Sequence, residues 1–478
     1  MSIEKQHLKK INDYLWEIPQ SFRSDMRVPA RIYASEKMLE EIFKDQTLEQ
    51  LVNLSTLPGI QKYALVMPDA HEGYGSPIGG VFATDIKNGI ISPGAIGYDV
   101  NCGVRLLRSE KISADIKNHL GNLGTAIFHE VPSGVGRGGR LRLNDLELDK
   151  VFLGGVPQMI EMGYGEKNDF IYHEAGGVLD NANPEKVSSK ARSRGRDQLG
   201  TMGAGNHFVE VQRVDEIFNE HSAKKLGLFK NQVTVMIHTG SRGLGHQVAT
   251  DYIRVMMNAM SKYGIELPDR ELASAPFNSP EGQDYFQAMA AAANFAWANR
   301  QLITWEVRKA WHDVLADSGG KLEIVYDVAH NIAKLEEYGG SKVIVHRKGA
   351  TRAFGPGHPE IHESYRDIGQ PVLIPGSMGT ASYVLVGTNK AMEETFGSSC
   401  HGAGRRMSRH AAKRQVRGAT LREQMEQEGI VVHAGSLSGL AEEAPLAYKN
   451  VDEVVEVISQ AGIAKKIARL KPLAVVKG

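Results

Sequence analysis

The chain has 478 residues, 42% of them hydrophobic and 23% charged, with 51 glycines. The balance is that of a globular protein, and glycine above its usual ~7% points to many tight loops. Lys+Arg and Asp+Glu both number 56, and a formal charge of zero excludes a protein that coats nucleic acid by bulk charge.

In chain order, the charged N-terminus MSIEKQHLKKINDYLWEIP lacks the apolar core of a signal peptide. Apolar residues at helical spacing predict helices over 36–54, 245–263, 284–314 and 450–468. Short β-branched runs predict strands at 233–237, 322–328, 342–345, 372–374, 383–386, 430–432 and 473–476. These elements alternate without a βαβ rhythm, so the expected fold class is α+β, with mixed β-sheets, helices and many glycine-rich loops. The stretches 132–144, 180–197 and 274–282 read as linkers, none sharp enough to divide the chain. One large domain over 1–478 is therefore expected. The apolar stretch 288–298 is too short to span a bilayer, which takes ~20 residues. Two cysteines, Cys102 and Cys400, make no disulfide framework, so the expectation is a cytoplasmic protein with reduced thiols and no membrane contact.

Several common catalytic signatures are missing: a P-loop, a G-x-S-x-G elbow and an H-E-x-x-H helix. Gly134, Gly136 and Gly139 fit G-x-G-x-x-G, but without a strand before and a helix after.

Two clusters carry chemistry. In Gly97–Gly103 (GYDVNCG), Asp99 and Cys102 stand three residues apart between glycines, so a carboxylate and a thiol can reach one cation from a tight loop. Alternatively, the pair is a buried cysteine beside a capping carboxylate. His207, His238 and His330 each adjoin an apolar strand and small or polar residues, a placement that suits a rigidly held ligand. Five ligands suit two ions sharing one bridging ligand, and a thiolate can bridge. Ligand softness alone favours zinc. The second cluster is SSCHGAGRRMSR, 398–409. There His401 stands among small residues with Arg405, Arg406 and Arg409 close behind, the composition of a nucleophile in a phosphate cradle or of a glycine turn entering a basic helix. The loop PGSMGTAS, 375–382, offers hydroxyls and exposed amides to a nucleotide.

PDAHEGYG (68–75), GYDVNCG (97–103), GAGNHFVE (203–210), HTGSRGLG (238–245), AHN (329–331), HRKGATRA (346–353), PGSMGTASYVL (375–385), SCHGAGRRMSR (399–409) and VVKG (475–478) together resemble the RtcB family of RNA ligases, in collinear order over nearly the whole chain. The resemblance implies an RtcB-type fold. It also implies GTP-dependent joining of a 2′,3′-cyclic phosphate or 3′-phosphate RNA end to a 5′-hydroxyl end, through a GMP–histidine intermediate and a GMP-activated 3′ end, in tRNA splicing or RNA repair. It places one Mn²⁺ on Asp99, Cys102 and His207 and a second on Cys102, His238 and His330, manganese displacing the softness argument for zinc, with other divalent ions allowed. It makes His401 the residue that accepts GMP. The nucleotide pocket it implies comprises Asn206, His207, Phe208, Val209, Glu210, His330, Asn331, Pro375, Gly376, Ser377, Met378, Ser382, His401, Gly402, Ala403, Gly404 and Lys477. The implied partners are GTP, RNA in the form of tRNA halves or broken strands, and an archease-type activating protein. Arg192, Arg194, Arg196, Arg242, His346, Arg347 and Lys348 read either as contacts to RNA phosphates or, for each arginine run, as a solvated loop. A dinuclear phosphodiesterase using the same donors without nucleotide is the competing enzyme class, and a non-catalytic GTP- or RNA-binding module is the other rival.

Overall fold

A computed structural model describes residues 3–134 and 136–478. Two mixed sheets and a set of helices make an α+β architecture. The first sheet has seven strands in the order Lys9–Asn12, Leu15–Ile18, Ala30–Tyr33, Ala64–His71, Ile78–Asp85, Ser341–Lys348, Asn331–Tyr338. The second runs Glu323–Ala329, Gly103–Ile112, Gln232–Thr239, Phe208–Ile217, Ala464–Lys477, Ser382–Gly387, Pro371–Ile374, with Val431–Ala434 added in parallel to Ala464–Lys477. Gln232–Thr239 and Glu323–Ala329 are buried almost throughout, which is why they read as β-branched runs rather than alternating patterns.

The 36-residue helix Pro280–Leu315 packs against this sheet and against the helices Asp145–Glu161, Leu120–Glu130 and Arg242–Tyr263. Ser279 caps it by accepting the Gly282 N–H, and Pro280 supplies a pre-set first turn. Its alanine-rich middle is buried all round, since small side chains let neighbouring helices approach closely. Among the described residues no helix is long and apolar enough to cross a membrane.

The predicted helices at 245–263 and 284–314 match Arg242–Tyr263 and Pro280–Leu315 closely. The 36–54 pattern divides into Glu36–Ile42 and Thr47–Leu54, because Asp45 accepts the Thr47 N–H and restarts the helix. The 450–468 pattern is a helix only over Val451–Gln460. Gly462, at φ +75°, ends it, and the residues beyond join the 14-residue strand Ala464–Lys477. The stretch 180–197 is not merely a linker, since it contains the helix Ser189–Gly195 capped by Ser188. The strands Ala64–His71, Ile78–Asp85, Gly103–Ile112 and Phe208–Ile217 escaped the pattern reading, and three of them hold or adjoin the residues described next.

Candidate active site

Strand register brings the candidate ligands together. Gly103 pairs with both Ala329 and Thr239, so Cys102, His238 and His330 emerge at one end of three adjacent strands. Phe208 pairs with His238, which puts His207 at the same end of the fourth. Asp99 arrives on the loop before Cys102, whose N–H closes the turn on the Asp99 carbonyl at 2.9 Å around Asn101 at φ +51°. The resulting atoms form two groups, Cys102/His238/His330 and Asp99/Cys102/His207, each spanning at most 4.8 Å and sharing the one thiol.

The separations are short throughout. Cys102 Sγ lies 3.3 Å from His207 Nε2 and 3.4 Å from His238 Nε2, and the Nε2 atoms of His238 and His330 are 3.1 Å apart. His207 Nε2 is 3.2 Å from an Asp99 carboxylate oxygen. Burial, then the imidazoles around them, hold His238 and His330 well below the ordinary histidine range. Neutral rings keep a lone pair available, as a metal ligand requires. Burial and the neighbouring Asp99 push the Cys102 thiol up, a cost that a divalent cation would reverse by binding the thiolate. Such a donor set fits a pair of cations.

Buried groups hold the loop rigid. Asp99 accepts the Ser241 N–H at 3.0 Å, and any side chain at Gly240 would strike its carboxylate. Arg300, fully buried, donates to the Asn101 carbonyl (2.8 Å), the Thr239 carbonyl (2.9 Å) and the Asp327 carboxylate (2.8 Å), and Asp327 also pairs with buried Arg105.

His401 follows the short strand Ser398–Cys400 and lies beside the donors, its ring centroid 5.1 Å from that of His330. Its Nδ1 is 2.6 Å from an oxygen of Asp69, which is fully buried on Ala64–His71. The same oxygen accepts the backbone N–H groups of His401 (2.9 Å) and Gly402 (3.2 Å). With Nδ1–H committed to Asp69, Nε2 carries the free lone pair. Gly404, at φ +69°, has no side chain to meet the Asp69 carbonyl, and that allows the loop to lie so close. Asp69 belongs to the motif PDAHEGYG, whose spacing alone gives it no partner. A carboxylate inside an otherwise apolar strand was the signal available. Cys400 is buried in the core away from the donor groups.

A cavity of about 950 Å³ opens over this ground. Of the expected residues, Asp99, Cys102, Asn206, His207, His238, His330, Asn331, Pro375, His401, Gly402, Ala403 and Gly404 line it. Phe208, Val209, Glu210, Gly376, Ser377, Met378, Ser382 and Lys477 do not. Phe208 and Val209 pack in the core of the second sheet and Met378 against Leu421 and Met425. Ser382 accepts the Gly376 N–H at 3.1 Å, folding the 375–382 loop back on itself. Behind the loop, one carboxylate oxygen of Glu210 and the ammonium of Lys477 are buried without a hydrogen-bond partner. Burial raises the Glu210 carboxyl to about 7 and lowers Lys477. Unsatisfied donors and acceptors beside a cavity are what a polar ligand would complete.

The expected RNA contacts need correction. His346, Arg347 and Lys348 are buried, Arg347 on Glu336 and Lys348 on the carbonyls of Ser76 and Gly94, because their strand lies inside the first sheet. Arg192 and Arg196 pair with Asp149 and Asp145, whereas Arg194 and Arg242 line the cavity. Arg405 and Arg409 also line it, both held on Glu443.

The family model described as "tRNA-splicing ligase RtcB" matches residues 50–478. The chain is 56% identical to a protein of Thermococcus kodakarensis named tRNA-splicing ligase RtcB, over 98% of this chain and 99% of that one. A protein of the same name from Archaeoglobus fulgidus is 57% identical over the same shares, and one from Pyrobaculum aerophilum 53%.

Proposed function

The chain belongs to the RtcB family, and from that premise we propose that it is an RNA ligase which uses GTP to join a 3′-phosphate or 2′,3′-cyclic phosphate end to a 5′-hydroxyl end. The observation that carries the reading is the Asp69–His401 pair, which aims a free imidazole nitrogen into the cavity that the cation donors also line. The donors of that cavity span residues 99–330 and its nucleophile is 401, which supports the whole chain acting as one catalytic unit.

His401 Nε2 attacks the α-phosphorus of GTP; the P–N bond forms as the bond to pyrophosphate breaks. Asp69 fixes the ring tautomer and stabilises the positive charge that develops on it. Divalent cations, manganese in this reading, would be held by Asp99, Cys102 and His207 and by Cys102, His238 and His330, and would supply Lewis acidity toward phosphate oxygens. GMP then passes from His401 to the RNA 3′-phosphate, turning it into an activated diester anhydride. The 5′-hydroxyl oxygen of the second strand attacks, and GMP leaves. In this reading Glu210 and Lys477, each buried with a polar atom unpartnered, have the polarity to recognise the guanine edge.

Incubating the protein with Mn²⁺ and α-labelled GTP should label it through an acid-labile, alkali-stable bond. His401→Ala should take up no label while keeping its Mn²⁺ affinity, since no ion ligand sits in that loop. Label on the variant would require another nucleophile. A phosphodiesterase using the same donors without nucleotide would show no label on either protein.

A further inference from the structure

Tyr98 and His246 stack on one flank of the cavity, with ring centroids 4.7 Å apart and planes 23° from parallel. Tyr74 leans against Tyr98 at 5.4 Å and 59°. Both stacked rings are fixed to the donor cluster through the backbone. Tyr98 immediately precedes Asp99, and His246 lies near the start of the helix Arg242–Tyr263, whose flanking Ser241 N–H donates to Asp99. Tyr98 is half-buried and His246 exposed, so the stack has a supported end and an open one. Arg194, exposed on the same cavity wall as Asp197, has no carboxylate oxygen within 4.0 Å among the described residues, unlike Arg192 and Arg196 beside it. None of these side chains orients His401 or closes a cation group.

We infer that Tyr98 and His246 form a stacking platform for the terminal nucleobase of an RNA end, with Arg194 meeting the adjoining phosphate; the inference rests on the ligase reading above. Every nucleobase presents a π-face, so a two-ring platform holds an end without selecting its sequence, as an enzyme that mends varied breaks requires. A rigid stack anchored to the Asp99 loop would set the terminal nucleotide one residue from the phosphate chemistry. The shared chemistry is a terminal base, from either the 3′-phosphate strand or the 5′-hydroxyl strand.

The test measures binding of single-stranded oligoribonucleotides to the full-length protein with Mn²⁺, by fluorescence anisotropy. Each strand type is made intact and with an abasic terminal nucleotide. For one strand type His246→Ala should weaken binding of the intact oligomer by about tenfold, and the abasic oligomer should lose as much on the wild type. Variant and abasic losses should not add, and His246→Tyr should restore binding. The strand that shows the effect identifies which end the platform holds. Equal affinity of wild type and His246→Ala for both strands overturns the platform, and so does an abasic penalty that persists in full on the variant. His246 is exposed, so its replacement leaves the core intact. The readout is separate from labelling by GTP: an unlabelled wild type overturns the ligase reading, whereas unchanged RNA affinities overturn only the platform.

Discussion

At the scale of single residues, the site turns on which atom of each side chain is free. Asp69 decides this for His401 by accepting a hydrogen bond from its Nδ1–H. Asp69→Asn keeps the shape but replaces an acceptor by an amide that can donate, favouring the wrong tautomer. The rate of GMP attachment should fall roughly a hundredfold or more, with Mn²⁺ binding unchanged. Single-turnover labelling with GTP measures it, and a rate within threefold of wild type would remove Asp69 from the mechanism. The two cysteines make a matched pair. Both are buried, but Cys102 Sγ belongs to two donor groups and Cys400 to none. Cys102→Ser should weaken Mn²⁺ affinity by about tenfold or more and abolish ligation at limiting metal, because a hydroxyl bridges two cations poorly. Cys400→Ser should leave metal affinity within a factor of two, as calorimetric titration of both variants would establish.

Among elements, four neighbouring strand ends make the candidate cation site, and a buried charge network ties three of them together. Arg300, on the helix Pro280–Leu315, spans the loop at Asn101, the end of Gln232–Thr239 and Asp327 on Glu323–Ala329. Removing one member of a buried ion pair strands the other charge. Arg300→Met should therefore cost about 3–5 kcal/mol of stability and weaken metal binding, since the donors lose their common anchor. Denaturant unfolding of metal-free protein measures the first effect and Mn²⁺ titration the second; a change below about 1 kcal/mol would show that Arg105 alone satisfies Asp327. The network was not legible beforehand. An arginine in an alanine-rich helix reads as a break in an apolar face, and only the packed helix shows that it faces three strand ends.

For the whole molecule, zero net charge and a cavity wall carrying Arg194, Arg242, Arg405 and Arg409 are compatible, because the net charge is summed over the whole chain while the cavity wall samples a small part of it, with Glu443 holding Arg405 and Arg409 in place. RNA binding should weaken steeply with salt. If about three phosphates are neutralised, the slope of log K against log salt for a single strand is about −2. A titration between low and moderate salt measures it, and a flat response would place RNA outside this cavity. The sequence by itself determined the α+β class, the long helices and the residue types gathered at the site. Helical periodicity and rare motifs survive in one dimension because they depend on neighbours within a few residues. Where 450–468 changes from helix to strand, which arginines are free to meet a phosphate, and that Asp69 holds His401 were decided only by the tertiary structure. Each depends on a partner far away in the chain: Gly387 opposite Ala464, Asp149 lying 43 positions before the Arg192 it pairs with, and Asp69 lying 332 positions before the histidine it orients. Pairing across such distances is set by sheet register and packing, which no local pattern encodes.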